Sequence, residues 1–253
     1  MMGKVIMSGI VPPLVPPLVP PVVTGILAED LAVGSVVKLM EGDVATEYLV
    51  VNQGKPSGSS LYDDSCDGTW LLRNDIYENR EWHSSRVNDY ENSTIHSYLN
   101  STFLNLFDAN TQSVIKQVKI PYRKGSGYDK TVTSGVNGLS VKIFLLSATE
   151  VRFSNNFMPS SEGAELSYFS GCSYTSSDDK RVAKLNGTAI TWWLRSPFCI
   201  ANSSLGSTIS ICVSSTGGFS NDYCNGSHGI RPALILPKNA IFDTNTLILK
   251  GAA

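Results

Sequence analysis

The clearest hydrophobic pattern in the chain is a strict alternation of apolar and small polar residues near the C-terminus. In "STISICVSST" (207–216) every second residue of the central part is apolar, a period of two that predicts a β-strand. The dipeptide Gly217-Gly218 then predicts a two-residue hairpin turn of a primed type. The segment "FSNDYCN" (219–225) is the predicted returning strand. One of its faces carries Phe219, Asn221 and Tyr223.

Apolar spacing elsewhere predicts further short strands and two helices in the N-terminal half. The best helix is "NSTIHSYLNSTFLNLF" (92–107), whose apolar residues fall on a single face, with Asn92 or Ser93 as its cap. A second, short helix places Val114, Ile115 and Val118 inward and ends before Pro121. The predicted strands are a hairpin over 34–52 with its turn at "EGD", buried strands at 141–147, 192–197 and 229–237, and a closing hairpin over 240–249. Early helices followed by short antiparallel strands predict an α+β domain.

A proline-rich segment precedes this domain. "VPPLVPPLVPPV" (11–22) repeats every four residues, and paired prolines fix φ and remove backbone donors, so polyproline II is predicted. We therefore divide the chain into an arm, 1–27, and a domain, 28–253. The arm is either a stiff tether or an anchor through which the chain forms a homo-oligomer.

Composition narrows the class of protein. The chain has 253 residues, 42% hydrophobic and 17% charged, with a formal net charge of -2, which suits a globular protein with a core. This charge gives no reason to expect a nucleic acid as partner. No stretch reaches the roughly 18 consecutive apolar residues of a membrane span, so membrane insertion is not expected. The N-terminus has no recognisable signal peptide.

Candidate catalytic and metal-binding residues are few. The five cysteines are widely spaced and form no C-x-x-C pair, so we expect reduced core or loop residues rather than zinc ligands. Cys224 and His228 lie four residues apart, but nothing supplies the third group that would orient a nucleophile pair. The cluster "DDSCDG" (63–68) lacks the calcium-loop pattern and predicts a turn. We expect no catalytic residue, metal or cofactor.

Two arginines lie inside apolar strand segments. Arg195 is in "WWLRSP" and Arg231 is in "GIRPAL". A guanidinium in such surroundings must be paired or must cap backbone carbonyls. We interpret both as structural residues that hold loops in place.

The segment that contains both arginines uses a restricted set of amino acids. From 194 to 237 there is no Lys, Glu, Gln, Met or Trp, although the rest of the chain contains 33 of them. These five types are the ones that no codon ending in C encodes. Every type that is present in the segment is one that an AAC codon can yield when its adenines are randomised.

The motifs around this segment resemble a known family. "WWLRSP" and "GIRPALIL" are similar to the frame of gut-phage and bacterial proteins with a C-type-lectin-like fold. The upstream segments that also resemble it are "SCDGTWLL", "STIHSYLNSTFLNLFD", "IPYRKGSG" and "IFLLSATEV". The resemblance covers nearly all of the chain after about Ala28. Many such proteins are variable targets of diversity-generating retroelements, which rewrite adenine positions in a C-terminal variable region.

The resemblance implies a C-type-lectin-like domain over 28–253 with a variable, ligand-binding region at about 198–228. It assigns the scaffold to Trp192, Trp193, Arg195 and Arg231. The expected ligand-facing positions are Phe198, Ile200, Asn202, Ser204, Ser207, Phe219, Asn221, Asp222, Tyr223, Asn225 and His228. We place the boundary with the fixed strand at about Gly229.

The function implied by this resemblance is non-enzymatic recognition of a protein or glycan receptor on a target cell. The expected location is a virion tail or a bacterial cell surface. Tyr, Ser, Gly and Asn, which also dominate antibody paratopes, suit adaptable contacts. One alternative is a structural tail or adhesin module in which the proline-rich arm is the active part. Another is an enzyme of the related formylglycine-generating scaffold, for which no matching cysteine pair is found.

Overall fold

The computed structural model describes residues 25–125, 130–158, 160–199 and 204–252. The proline-rich segment 11–22 and the expected ligand-facing residues Ile200 and Asn202 therefore lie outside the described residues. Ile26–Leu27, which the sequence assigns to the arm, pairs with Ile241 and Phe242. These two residues consequently belong to the folded body.

Most regular structure in the described residues is short antiparallel strand. The strands are β1 (Ile26–Leu27), β2 (Val36–Glu41), β3 (Val44–Gln53), β4 (Thr69–Arg73), β5 (Glu78–Glu81), β6 (Val118–Ile120), β7 (Tyr122–Arg123), β8 (Val132–Thr133), β9 (Leu139–Val141), β10 (Lys184–Leu185), β11 (Thr188–Ala189), β12 (Trp192–Pro197), β13 (Ile209–Val213), β14 (Phe219–Tyr223), β15 (Ser227–Ile230), β16 (Ala233–Leu236), β17 (Ala240–Phe242) and β18 (Leu249–Ala252). The α-helices are α1 (Thr94–Tyr98) and α2 (Ala109–Val114). Seven 3₁₀ helices in the described part of the chain lie at Ala28–Asp30, Asp64–Cys66, Leu104–Leu106, Gly135–Asn137, Ser167–Phe169, Asp179–Arg181 and Ser204–Ser207.

Two sheets organise the molecule. One has four antiparallel strands in the order β16-β4-β3-β2, and the other has five in the order β14-β13-β12-β15-β5. In the second sheet β12 and β15 run parallel, and the other neighbours are antiparallel. A three-stranded sheet β1-β17-β18 and three two-stranded pairs complete the described sheets. The predicted α+β class is confirmed, with the emphasis on β.

Both outer hairpins occur where the sequence predicts them. In the first, Glu41 pairs with Val44, and Gly42 has a φ of 59°, a conformation that glycine adopts without steric cost. β17 and β18 form the closing hairpin. Asp63 caps the 3₁₀ turn in "DDSCDG" by accepting a hydrogen bond from Ser65 N at 2.9 Å, so the prediction of a turn is confirmed.

The predicted helix at 92–107 is confirmed as one helical segment of changing geometry. α1 is followed by a π-helical turn, Leu99–Phe103, and then by the 3₁₀ turn Leu104–Leu106. The predicted cap Ser93 accepts a hydrogen bond from His96 N at 3.1 Å. The buried side chains on its inner face are Ile95, Leu99, Phe103 and Phe107.

The second helix is shorter than predicted. α2 ends at Val114, and Ile115 is already extended. Val118 lies in β6 opposite Val141 rather than in the helix. The expectation that Val118 is helical is therefore wrong, although Val114, Ile115 and Val118 are all buried as predicted.

The predicted strand at 141–147 is buried but is not a regular strand. After β9 only the isolated bridge between Phe144 and Ala233 remains. Side chains satisfy much of the other backbone: Asn100 Oδ1 accepts from Lys142 N and Ile143 N at 3.0 and 3.1 Å, and the Tyr90 hydroxyl accepts from Leu145 N at 3.0 Å. Buried backbone groups need a partner, but that partner need not be a strand.

The predicted strand at 229–237 is divided between the two main sheets. β15 ends at Ile230 in the five-stranded sheet, and β16 begins at Ala233 in the four-stranded sheet. Pro232 lacks the N–H that would continue a ladder, while its carbonyl accepts from Arg73 N at 2.8 Å. The segment thus joins the sheets instead of forming one strand.

The β13–β14 hairpin is confirmed, but its predicted two-residue turn is wrong. Val213 pairs with Phe219, so residues 214–218 form a five-residue loop. Gly217 has a φ of 78°, and a Cβ there would lie 2.0 Å from the Asp178 carbonyl oxygen. The glycine is required because the loop packs directly against the turn at Asp178.

Buried apolar residues of both sheets belong to one hydrophobic core. All four tryptophans, Trp70, Trp82, Trp192 and Trp193, are fully buried, and Trp70 makes edge-on contacts with Tyr62 and Phe144.

In the described part of the chain, none of the helices has the length and hydrophobicity to cross a bilayer.

Candidate ligand-binding face

Buried arginines fix the strand that leads into the predicted variable region. Arg195 Nη1 and Nη2 donate to the two carboxylate oxygens of Glu150 at 2.6 and 2.7 Å, and all these groups are buried. The expectation that Arg195 is paired in the interior is confirmed. Arg123, also buried, donates to Pro197 O at 2.5 Å and to Cys199 Sγ at 3.2 Å. No local sequence pattern marks Arg123, because the residues to which its guanidinium donates, Pro197 and Cys199, lie more than 70 residues away.

A single asparagine joins the two ends of the segment between β12 and β13. The buried Asn88 Nδ2 lies 3.3 Å from Phe198 O, 2.8 Å from Gly206 O and 2.8 Å from Ile209 O. Its backbone N–H donates to Ser207 O at 3.0 Å. Asn88 therefore closes the base of the segment 198–209. Sequence reasoning missed this residue, which lies in an unremarkable polar loop.

The other end of the predicted variable region is held by β15 and Arg231. Arg231 Nε donates to Arg73 O at 2.9 Å, and its guanidinium carbon lies 5.2 Å from the centroid of the Trp192 ring. Burial lowers the pKa of Arg231 to about 10. The indole N–H groups of Trp192 and Trp193 donate to Arg181 O and Arg80 O, both at 2.9 Å. The four expected scaffold residues are thus buried and bonded.

The register of β13 and β14 defines the two faces of the hairpin. Ile209, Ile211 and Val213 lie opposite Tyr223, Asn221 and Phe219 respectively. Residues directly opposite each other share a face, so the predicted common face of Phe219, Asn221 and Tyr223 is confirmed. Asn221 is exposed, whereas Phe219 and Tyr223 are half-buried. The Phe219 ring lies 5.5 Å from the Phe153 ring, centroid to centroid.

A loop from outside the predicted variable region packs against this face. The Arg86 guanidinium carbon lies 4.2 Å from the centroid of the Tyr223 ring, and Arg86 Nε donates to Asn225 Oδ1 at 3.2 Å. Arg86, Val87 and Asn225 are exposed. We name this set of residues, Arg86, Asn221, Tyr223 and Asn225, the hairpin face. Sequence reasoning missed Arg86, because nothing local links it to a strand more than 130 residues away.

Two further expected ligand-facing residues, Asp222 of β14 and His228 of β15, lie on the opposite side of the sheet. His228 Nε2 and Asp222 Oδ2 are 2.8 Å apart, and the His228 ring contacts the buried Trp193 ring edge-on at 4.7 Å. Both polar side chains are partly exposed, 24% for His228 and 42% for Asp222. The expected ligand-facing residues are therefore divided between two surfaces.

One expected ligand-facing residue is buried. Phe198 is 4% exposed, and its ring stacks on Phe157 with centroids 4.5 Å apart. The outward placement of Phe198 is wrong because the chain leaving β12 enters an aromatic cluster with Phe157 and Phe219. Ser204 begins a 3₁₀ turn, with its side chain outside the described set, and Ser207 is half-buried.

The boundary assigned to Gly229 coincides with a change in burial. Ser227 is exposed and His228 half-buried, whereas Gly229 and Ile230 are buried. A Cβ at Gly229 would lie 2.7 Å from the Ile76 side chain. Gly229 is consequently the first position of β15 that cannot vary without disturbing the packing.

The geometry gives Cys224 no catalytic partner in His228, which is bonded to Asp222 instead. Cys224 is buried, and burial raises the pKa of its thiol to about 12. The thiolate, which is the nucleophilic form, is therefore scarce at neutral pH. All five cysteines are buried, and none of them forms a disulfide bond. No cluster of metal-ligating side chains occurs among the described residues.

Comparison with known proteins identifies the family and leaves the activity open. No curated protein and no solved structure matches the chain. One family model, described as a domain of unknown function (DUF6273), matches residues 67–238. This range extends from Asp67, two residues before β4, to Lys238 after β16, and it includes β12, both strands of the β13–β14 hairpin and Asn88. Since the match covers more than half of the chain, the protein belongs to the DUF6273 family.

Proposed function

We propose that this chain is a non-enzymatic binding protein that displays a diversified C-terminal surface on a C-type-lectin-like domain. Its ligand is a protein or glycan receptor on a target cell, and its setting is a virion tail or a bacterial cell surface. The observation that carries the proposal is the restricted set of amino acids at 194–237. Near each end of this segment a buried arginine, Arg195 or Arg231, is held by hydrogen bonds.

The packing supports variation at some positions and opposes it at others. The exposed Asn221 and Asn225 and the half-buried Tyr223 can change without leaving a buried cavity. The backbone on either side of the segment 198–209 is held by residues outside the β13–β14 hairpin. Arg123 donates to Pro197 O, Asn88 donates to Ile209 O, and Glu150 pairs with Arg195 of β12. A surface can be diversified only if its supports do not change with it.

The DNA next to the gene tests the diversification directly. We expect a near-identical copy of the segment that encodes 194–237, differing only at adenines, beside a reverse-transcriptase gene. Absence of such a copy, or differences spread over all four bases, would contradict the proposal.

A binding experiment separates this proposal from a structural tail module in which the proline-rich arm is the active part. Asn221→Ala, Tyr223→Ala and Asn225→Ala are combined in one chain, and adsorption to target cells is measured. We expect adsorption to fall at least tenfold. Val44→Ala, at a 65% exposed site outside the hairpin, is the control and should bind normally. Normal adsorption by the triple variant would favour the structural alternative.

A further inference from the structure

A second candidate site lies beside the hairpin, outside every predicted variable position. It is a surface cavity of about 210 Å³ lined by residues from two segments, 149–165 and Tyr174. Phe153, on its wall, contacts Phe219 of β14. Typical pockets for drug-sized ligands measure about 300–1,000 Å³, so this cavity suits a single ring-sized group.

An arginine–glutamate pair supplies the polar side of the cavity. Arg152 Nη1 lies 3.3 Å from Glu165 Oε1, and Arg152 Nε lies 3.3 Å from Glu165 Oε2. Although the second contact is close, Arg152 Nε is buried and donates no hydrogen bond to any described residue. The rest of the pair is open to solvent, with 21% of the Arg152 side chain and 32% of the Glu165 side chain exposed, so a ligand in the cavity can reach polar groups of both.

The backbone at Arg152 adds a second, independent sign of function. Its φ is 66°, in the left-handed region that glycine or asparagine normally occupies at the end of a helical turn. Any other residue there raises the free energy of the fold, and such strained residues cluster at ligand sites. The strained backbone at Arg152 is therefore consistent with a ligand-contacting role for its side chain.

An aromatic ring forms the other side of the cavity. Tyr174 is 55% exposed, and the Arg152 guanidinium carbon lies 4.9 Å from its ring centroid. A ligand that covers the exposed part of this ring would remove apolar surface from water. The hydroxyl groups of Ser154 and Ser161, both exposed, also border the cavity.

These features together select a class of ligand. The Arg152–Glu165 pair is neutral overall, so it attracts neither a simple anion nor a simple cation. Its guanidinium donates and its carboxylate accepts side by side, which matches two neighbouring hydroxyl groups that each donate and accept. We propose that this cavity binds one neutral sugar ring, with two adjacent hydroxyls on Arg152 and Glu165 and a C–H face on Tyr174. The proposal is independent of diversification at the hairpin.

Ligand-observed saturation-transfer NMR with the whole chain tests this assignment. The probes are the methyl glycosides of glucose, galactose, mannose and N-acetylglucosamine, each alone, with sorbitol, acetate and methylammonium for comparison. We expect at least one glycoside to bind saturably and more tightly than sorbitol or either ion. No saturable glycoside binding, or tighter binding of an ion, would overturn the proposal.

Variants then place the binding in this cavity. Tyr174→Ala and Glu165→Gln should each weaken glycoside binding at least tenfold. Glu47→Gln makes the same charge change at an exposed site outside this cavity and should leave binding unchanged. Equal binding by the wild type and both cavity variants would overturn the assignment. Because Asn221, Tyr223 and Asn225 do not line the cavity, the triple hairpin variant should keep glycoside binding, which separates this test from that of the proposed function.

Discussion

Arg195 carries a charge and has no exposure to solvent. The free-energy cost of burying this charge is offset by its ion pair with Glu150. Glu150 also accepts hydrogen bonds from Ser147 N and the Tyr62 hydroxyl, at 2.8 and 2.9 Å. Removing a charge from a buried pair leaves the other charge uncompensated, which typically costs about 3–5 kcal/mol. We therefore expect Glu150→Gln to lower the free energy of unfolding by this amount in urea titrations.

Two further variants make that result specific to the pair. Arg195→Met combined with Glu150→Gln should be more stable than Glu150→Gln alone, because no unpaired charge remains. Lys55→Met removes a surface partner from Asp64, which is 95% exposed, and should not change stability measurably. A Glu150→Gln chain as stable as the wild type would show that the pair does not contribute as the geometry indicates.

The sequence predicts the need for such a partner but not its identity. Arg195 lies in an apolar strand, so the sequence indicates that its charge is compensated. Glu150 lies 45 residues away in the chain, and no local pattern links the two. The same limit explains why Asn88 and Arg86 were missed: their partners belong to distant segments that only the tertiary fold brings together.

At the scale of elements, Asn88 controls the connection between β12 and β13. Asn88→Ala would remove the Asn88 donor from the Gly206 carbonyl and would leave the Ile209 carbonyl with Phe198 N alone. Loss of a buried hydrogen-bond partner costs about 1–3 kcal/mol. We expect faster amide hydrogen exchange in the 3₁₀ turn Ser204–Ser207 and in β13, measured by mass spectrometry. Asn110→Ala, which removes an exposed amide that donates to Lys250 O, is the matched control. Equal exchange in both variants would contradict the role of Asn88.

Elements with a strong local pattern are predicted best. The alternating strand β13 and the hairpin β2–β3 occur as expected, since period and turn residues specify both. The segment 141–147 is different, because the Asn100 amide and the Tyr90 hydroxyl take the backbone hydrogen bonds of a missing strand. The five-residue loop 214–218 also depends on a distant contact, that of Gly217 with Asp178. The burial of Phe198 also depends on a distant contact, because only the tertiary fold brings the Phe157 ring against it.

At the scale of the whole molecule, the free energy of unfolding should fall as the pH falls. Protonation of His96 should cause the first part of this decrease. Burial lowers the pKa of His96 below its ordinary 6.5, with Glu91 acting weakly in the opposite direction. Between the two pKa values the unfolded chain binds a proton that the folded chain does not, so stability falls as pH falls below about 6.5. The melting temperature should therefore decrease between pH 7.5 and 5.

Substitution separates His96 from other groups. His96→Gln should flatten the melting profile between pH 7.5 and 5, whereas His83→Gln should retain the decrease. Below pH 4 the melting temperature should decrease further in the wild type and in both variants. Hydrogen bonds hold the pKa values of the Asp63 and Asp243 carboxyl groups below their ordinary 3.8, so protonation of these groups removes a stabilising contribution. A profile in which His96→Gln still follows the wild type would exclude His96 as the source.

The sheet topology extends the folding unit beyond the residues that define the family. The family match covers 67–238, but β2 and β3 lie outside it and form half of the four-stranded sheet. β3 pairs with β4 and covers its edge. Four side chains of β2 and β3 are fully buried: Val37, Leu39, Tyr48 and Val50. A fragment of 67–238 would expose β4 and the apolar surface below it, and exposed edges promote aggregation. We expect this fragment to aggregate or bind a hydrophobic dye, while 25–253 unfolds cooperatively in urea. Cooperative unfolding of the shorter fragment would show that the hairpin β2–β3 is an addition to the folding unit.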